Sequence, residues 1–278
     1  METQFTVISP DAVAIAGEAN GDGTAVVLLH GLTATRRYVV MGSSALVRAG
    51  HRVVAYDARG HGASAPTRSA GAYSYSDLVG DLTVVLDCCG IEKAVLAGAS
   101  MGAHTALQMA LTNPSRVAGL VIITPAYDPQ TFAEPDRLAQ WDALADGLVQ
   151  GGIDGFVKAY DFDRVPSAWR EVTERVVRQR LARHENLEAV ADALRAVPRS
   201  QPFAQIQELE AITAPTVVVA SRDDADPGHP YAIADAYVEA IAGATIISEE
   251  EGKSPLAWQG GQLSAVIAGL ATRAVDSQ

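Results

Sequence analysis

The stretch Ala94-Val95-Leu96-Ala97-Gly98-Ala99-Ser100-Met101-Gly102-Ala103-His104-Thr105-Ala106-Leu107 decides how this chain is read. Ala94 to Ala97 is a short apolar run of the kind that forms a buried strand, and Ala103 to Leu111 reads as a helix. Between them, Gly98-Ala99-Ser100-Met101-Gly102 has the Gly-x-Ser-x-Gly spacing of a sharp strand-to-helix turn with a serine at its tip. The glycines have a steric reason. Such a turn brings strand and helix backbones so close that side chains at positions 98 and 102 would collide. The serine is then held strained and exposed.

The same rhythm continues on both sides. Thr24-Ala25-Val26-Val27-Leu28-Leu29 is a continuous apolar run that suits a strand buried on both faces, and it ends at His30-Gly31-Leu32-Thr33. A helix is expected over about 38–49, closed by Gly50. Arg52 to Tyr56 forms the next strand and ends at Asp57-Ala58-Arg59-Gly60-His61-Gly62. From Tyr75 to Cys89, residues Leu78, Leu82, Val85 and Leu86 share a helical face. Ala118 to Ile123, Pro215 to Ala220 and Ala244 to Ile247 read as further strands, with helices over about 231–241 and 262–271. Strands separated by helices imply α/β architecture, a doubly wound and mostly parallel sheet. Sites in such sheets gather at the carboxyl ends of the strands.

The pattern breaks after Pro125. From about 128 to 211 there are amphipathic, charged helical stretches and no clear buried strand. This divides the chain into a core, 1–127 and 212–278, and a helical insertion, 128–211.

Composition narrows the function classes. The 278 residues suit one large α/β domain with an insertion, and 48% hydrophobic content supports a sizeable core. A formal charge of −12 with no basic stripe disfavours nucleic acid. No apolar stretch approaches the ~18 residues of a membrane span, so no membrane partner is expected. Met1 to Phe5 lack signal-peptide character, so a cytoplasmic protein is expected. Cys88 and Cys89 are adjacent and read as two reduced thiols. No metal-binding motif occurs, so neither a metal nor a cofactor is expected. A small-molecule substrate is the expected partner. Oligomeric state stays open, homo-oligomers included.

In the order and spacing of His30-Gly31, Asp57-Ala58-Arg59-Gly60-His61-Gly62-Ala63-Ser64 and Gly98-Ala99-Ser100-Met101-Gly102, the chain resembles the α/β-hydrolase superfamily over nearly its whole length. The insertion resembles the cap that many members carry between strands six and seven, and the resemblance is nearest to the branch with esterases, lactonases, C–C bond hydrolases and epoxide hydrolases. It implies Ser100 as nucleophile, with the backbone amides of Leu32 and Met101 as oxyanion donors. A serine at the turn disfavours the epoxide-hydrolase chemistry that needs a carboxylate there. The acidic partner belongs in Ser221-Arg222-Asp223-Asp224-Ala225-Asp226, where the family spacing points to Asp224 ahead of Asp223 and Asp226.

The family's general base follows the last strand, and there this sequence has Lys253; no histidine occurs after His229. A serine hydroxyl needs a base to become a useful nucleophile. His229, five residues after Asp224, is the leading candidate for a displaced base, beside a plain turn role before the next helix. Lys253 could serve only with a strongly lowered pKa. His30 and His61 fall in turns where the family uses histidine structurally. His51 and His184 read as solvated. His104 lies one turn past Ser100 and either lines a pocket or packs. Trp141, Tyr160 and Trp169 of the insertion could line a substrate pocket or pack between helices. The expected activity is serine-dependent hydrolysis of a small ester, lactone or related carbonyl compound. The alternative is a fold kept for binding or for a lyase, isomerase or cyclase step.

Overall fold

The apolar runs become the centre of a sheet because both their faces are covered. In a computed structural model, which describes residues 3–222, 226 and 228–276, the strands are β1 (Thr3–Ile8), β2 (Ala14–Asn20), β3 (Ala25–Leu29), β4 (Arg52–Tyr56), β5 (Ala94–Ala99), β6 (Val117–Ile123), β7 (Thr216–Val219) and β8 (Thr245–Ile247). The helices are α1 (Ala45–Arg48), α2 (Tyr75–Cys88), α3 (Met101–Thr112), α4 (Pro135–Ala159), α5 (Arg170–Leu181), α6 (Leu187–Ala196), α7 (Tyr231–Ala240) and α8 (Gly260–Asp276). The sheet order is β1-β2-β4-β3-β5-β6-β7-β8. β2 pairs antiparallel with β1 and β4, and every other pairing is parallel.

Alternate strand residues feed two cores. Val27, Leu29, Leu96, Leu120, Ile122 and Val218 join α2, α3 and α7 through Leu82, Leu86, Met109 and Tyr237. Val26, Leu28, Val95, Val121, Ile123 and Val219 join α1 and α8 through Leu46, Leu263, Ile267 and Leu270. Each fully buried Leu or Ile contributes roughly 1.5–3 kcal/mol, so a double-sided sheet is the stable solution for these runs. The helix expected over 38–49 is shorter: a 3₁₀ turn at Arg36–Tyr38 and the single turn of α1. The β1–β2 pair has no clear apolar signature, because β1 alternates at an edge with most residues exposed.

The helices α4, α5 and α6 lie between β6 and β7 as a cap. α4 is two helices joined at Gly152, whose φ of 57° and ψ of −143° reverse the chain. The halves pack so closely that a Cβ on Gly155 would overlap the Gly147 carbonyl. Leu148, Phe156, Leu181, Val190 and Leu194 give the cap its own core. Ala193 and Val197 continue onto Met101, Leu78 and Tyr73 of the sheet domain.

Chain order reverses between β3 and β5: β3 has β4 on one side and β5 on the other. Loops leaving such a switch point diverge and open a crevice at the carboxyl ends of the strands. Leu29 pairs with Gly98 there, so the turns after β3 and β5 are neighbours.

Candidate active site

The turn after β5 has the geometry its glycines require. Ser100 has φ 50° and ψ −111°, a conformation costly for any side-chain-bearing residue. A Cβ on Gly98 would overlap the Gly102 carbonyl, and one on Gly102 would overlap the Leu29 carbonyl. The Ser100 amide donates to the Ile123 carbonyl at 2.9 Å, fixing the turn to β6. Gly31 packs against the other side, where a Cβ would lie 3.4 Å from that of Ser100.

The turn after β3 is braced by residues that do not line the cleft over Ser100. His30 Nε2 accepts from the Ala58 amide at 2.9 Å, and its Nδ1 donates to the Gly31 carbonyl at 2.9 Å. Asp57 accepts from the Arg36 amide at 2.8 Å, the Arg36 guanidinium and the Ala63 amide. Arg59 is buried between Asp81 and Asp11, each 2.8 Å away. Thr33 sits at φ 69°, and its carbonyl accepts from His184 Nε2 of the cap at 3.0 Å. The amides of Leu32 and Met101 make no hydrogen bond among the described residues, as suits donors reserved for a ligand.

Of two histidines expected in solvent, one is buried and the other half-buried. His51 is only 5% exposed. His184 donates to Thr33 and accepts from the Gly62 amide at 2.9 Å. Its ring stands 5.5 Å from that of His61, which stands 5.2 Å from that of His30. Burial lowers the pKa of all three, His184 to about 4. They form a neutral stack joining the cap to both turns.

A cleft opens over Ser100, lined by Leu32 and Met101, by Tyr75, His104 and Tyr127, and by Phe132, Arg137, Trp141, Pro198 and Ser200 among others. His104 reaches it with both nitrogens engaged. Nε2 accepts from the Ala126 and Tyr127 amides at 3.1 and 3.2 Å, which leaves Nδ1 to donate to Tyr75 Oη at 3.0 Å. Burial, then the charges of His229 and Arg137, lower its pKa to about 3. It is a neutral wall residue.

His229 has a different environment. Its Nδ1 lies 2.9 and 3.0 Å from the Asp226 carboxylate oxygens, and its amide donates to the Asp226 carbonyl at 3.1 Å. Burial by itself would lower the imidazole's pKa, but the Asp226 charge and hydrogen bond raise it above its ordinary value. Burial would likewise raise the Asp226 carboxyl, and His229 with Arg180 holds it below the usual range. The Nε2 atom has no hydrogen-bond partner among the described residues, and no hydrogen bond joins the ring to Ser100 Oγ. Asp223 and Asp224 lie outside the described residues. Among the described residues, Asp226, ranked behind Asp224 on spacing, is the carboxylate that His229 meets; the i, i+3 spacing of Asp226 and His229 in one turn is the available signal.

Other expected pocket residues are elsewhere. Lys253 is exposed on the turn after β8. That turn is folded inward by Glu249, which is 6% exposed and accepts from the Arg222 amide at 2.7 Å and the Leu256 amide at 3.0 Å. Trp169 packs edge-on against Trp258 at 5.8 Å, and Tyr160 against Phe162 at 4.6 Å, so both belong to packing. His30 is behind the oxyanion turn rather than in the cleft. Trp141 does line the cleft. Tyr75, Arg137 and Ser200 are cleft residues that no motif singled out, since they come from three distant parts of the chain.

Residues 24–225 match the family described as the alpha/beta hydrolase fold. The chain belongs to the α/β-hydrolase family. Within that family it is 35% identical over 214 residues to a Variovorax paradoxus protein named "Putative carbamate hydrolase RutD", covering 73% of this chain and 75% of that one. It is 34% identical over 185 residues to a 2-hydroxy-6-oxononadienedioate/2-hydroxy-6-oxononatrienedioate hydrolase of Cupriavidus pinatubonensis, covering 64% and 62%. Its fold matches that of a thermophilic esterase from Thermogutta terrifontis with a TM-score of 0.79, at 20% identity over 98% of this chain and 99% of that one. This α/β hydrolase is therefore an enzyme. Among the described residues, none of its helices is long and apolar enough to cross a membrane, and no three His, Cys, Asp or Glu side chains gather as metal ligands.

Proposed function

We propose that this α/β hydrolase cleaves a small ester, lactone or related carbonyl compound through Ser100, with His229 as a displaced general base held by Asp226. The carrying observation is the Asp226–His229 pair, on the loop after β7 at the same end of the sheet as the strained Ser100. A carboxylate on Nδ1 keeps the proton there and leaves Nε2 as the basic atom, the arrangement a serine nucleophile needs.

Ser100 Oγ attacks the carbonyl carbon while its proton passes to His229 Nε2. The resulting oxyanion receives the Leu32 and Met101 amides, which are fixed before reaction and need no reorganisation. The imidazolium returns its proton to the leaving group as the acyl–oxygen bond breaks. Water, deprotonated by the same Nε2, then attacks the acyl-enzyme and releases Ser100. The raised pKa of His229 favours taking up that proton. The relatives named for carbamate and for dienedioate hydrolysis support carbonyl-centred chemistry. The alternative of a non-hydrolytic role rests on the lack of a base after the last strand, and the Asp226–His229 pair favours hydrolysis over it.

The test is Ser100→Ala. Turnover of 4-nitrophenyl acetate should disappear, together with stoichiometric labelling by a fluorophosphonate. Full activity in the folded variant would overturn the assignment.

A further inference from the structure

Four arginines of the cap are turned to carboxylates on its outer surface. Arg170, Arg178, Arg195 and Arg199 pair with Asp163, Asp154, Asp146 and Asp142. Arg137 does not. It sits in the first turn of α4 and lines the cleft that contains Ser100. Its Nη2 donates to the Ala126 carbonyl at 2.7 Å, which anchors the guanidinium against the loop after β6. Among the described residues it has no carboxylate partner, and no acidic residue lines the cleft.

The charge is directed inward. It acts on the buried groups Tyr75, His104 and Tyr237 and on the half-buried His229. Arg180, the other inward guanidinium of the cap, acts on Asp226 and so already faces a charge of opposite sign. A partly desolvated cation without a counter-charge is costly, and a ligand that supplies the negative charge removes the cost. The chain as a whole carries −12, so its long-range field repels anions. A single cation at the cleft wall is thus a local recognition device.

We propose that the substrate carries a carboxylate that is held by the Arg137 guanidinium while Ser100 attacks a separate carbonyl of the same molecule. The guanidinium fork offers two parallel N–H donors to a carboxylate beyond the N–H spent on Ala126. Phe132, Trp141 and Leu32 form the apolar wall that would take the short carbon chain between the two groups. The substrate class is then a small carboxylate-bearing ester or lactone. The inference rests on Ser100 as the nucleophile only for the reaction; the anion site stands on Arg137.

The test compares mono-4-nitrophenyl glutarate with 4-nitrophenyl pentanoate, a neutral ester of the same chain length. Wild-type kcat/KM should favour the glutarate ester by about tenfold or more, the usual worth of a charge-assisted hydrogen bond. Arg137→Gln should collapse that ratio, and Arg137→Lys, which keeps charge but not the fork, should give an intermediate one. A wild-type preference for the neutral ester would overturn the proposal even if the Gln variant does not fold. So would an unchanged ratio in a folded Gln variant. If neither ester is cleaved and Ser100 takes no fluorophosphonate, hydrolysis fails separately. Calorimetric titration with glutarate against glutaramide then decides the anion site: saturable glutarate binding supports it, and equal or absent binding of the two overturns it.

Discussion

His229 Nδ1 meets both carboxylate oxygens of Asp226, at 3.0 and 2.9 Å, within a single turn of chain. The pair gives this enzyme an oriented imidazole on the loop after β7, three residues from its own carboxylate. His229→Ala should lower kcat/KM for an activated ester by ~100-fold or more, as loss of a general base does. Lys253→Ala, which alters only an exposed turn, should stay within about twofold. A larger loss from the lysine change than from the histidine change would reverse the assignment.

The pH profile follows from the same pair. As the proposed base, His229 must be neutral to accept the Ser100 proton, and Asp226 raises its pKa. Activity should therefore climb with pH through a midpoint above the ordinary histidine value of ~6.5. Asp226→Asn removes the charge that raises it, so the midpoint should move down while the maximal rate falls. An unshifted midpoint in that variant would separate the two residues.

Stability should show the opposite pH dependence from its other histidines. His30, His61, His104 and His184 have pKa values lowered chiefly by burial. Below ~6.5 the unfolded chain binds protons at these sites that the folded chain refuses, so stability falls as pH falls. Each group contributes on the order of 1.4 kcal/mol per pH unit, down to its folded value, about 4 for His184 and about 3 for His104. His229, with its raised pKa, works in the reverse sense: the stability it supplies is present below ~6.5 and is lost as pH rises through its folded value. His51, also lowered by burial, adds a fifth group, and the five outweigh one. Urea unfolding at pH 7 and pH 5.5 should give a clearly lower midpoint at 5.5; equal midpoints would count against a buried neutral stack.

The tight turn should tolerate no methyl group. Gly102→Ala drives a Cβ into the Leu29 carbonyl, an overlap with backbone that cannot rotate away. The expected loss is ~3 kcal/mol or more, in the range of severe overpacking. Gly261→Ala, with open space around its Cβ, should change the unfolding midpoint little.

The cap latch can be probed by His184→Ala. That change removes the acceptor of the Gly62 amide and the donor to Thr33, both partly buried. A cost of ~1–3 kcal/mol is expected from the unsatisfied groups. Limited proteolysis should then cut between α5 and α6 faster than in the wild type.

The sequence by itself determined the parallel part of the sheet from β3 to β8, the place of the insertion and the turn that carries Ser100. Those features are local: apolar runs with the right period, and glycines where backbones touch. Strand β4 and the start of α7 fall where the periodicity puts them, whereas β1 and β2 leave little apolar pattern to read, β1 because it is an exposed edge strand. Only the tertiary structure decided the partnerships. His229 was legible as a candidate, yet which of several acidic neighbours it meets depends on how one loop closes. His184 reads as a polar cap residue yet is half-buried and held at both ring nitrogens, because its two hydrogen-bond partners come from turns more than a hundred residues away. Arg137 carried no motif at all. Its meaning comes from what it lacks, a counter-charge, and the sharing of surroundings between residues far apart in sequence is a property of the folded chain alone.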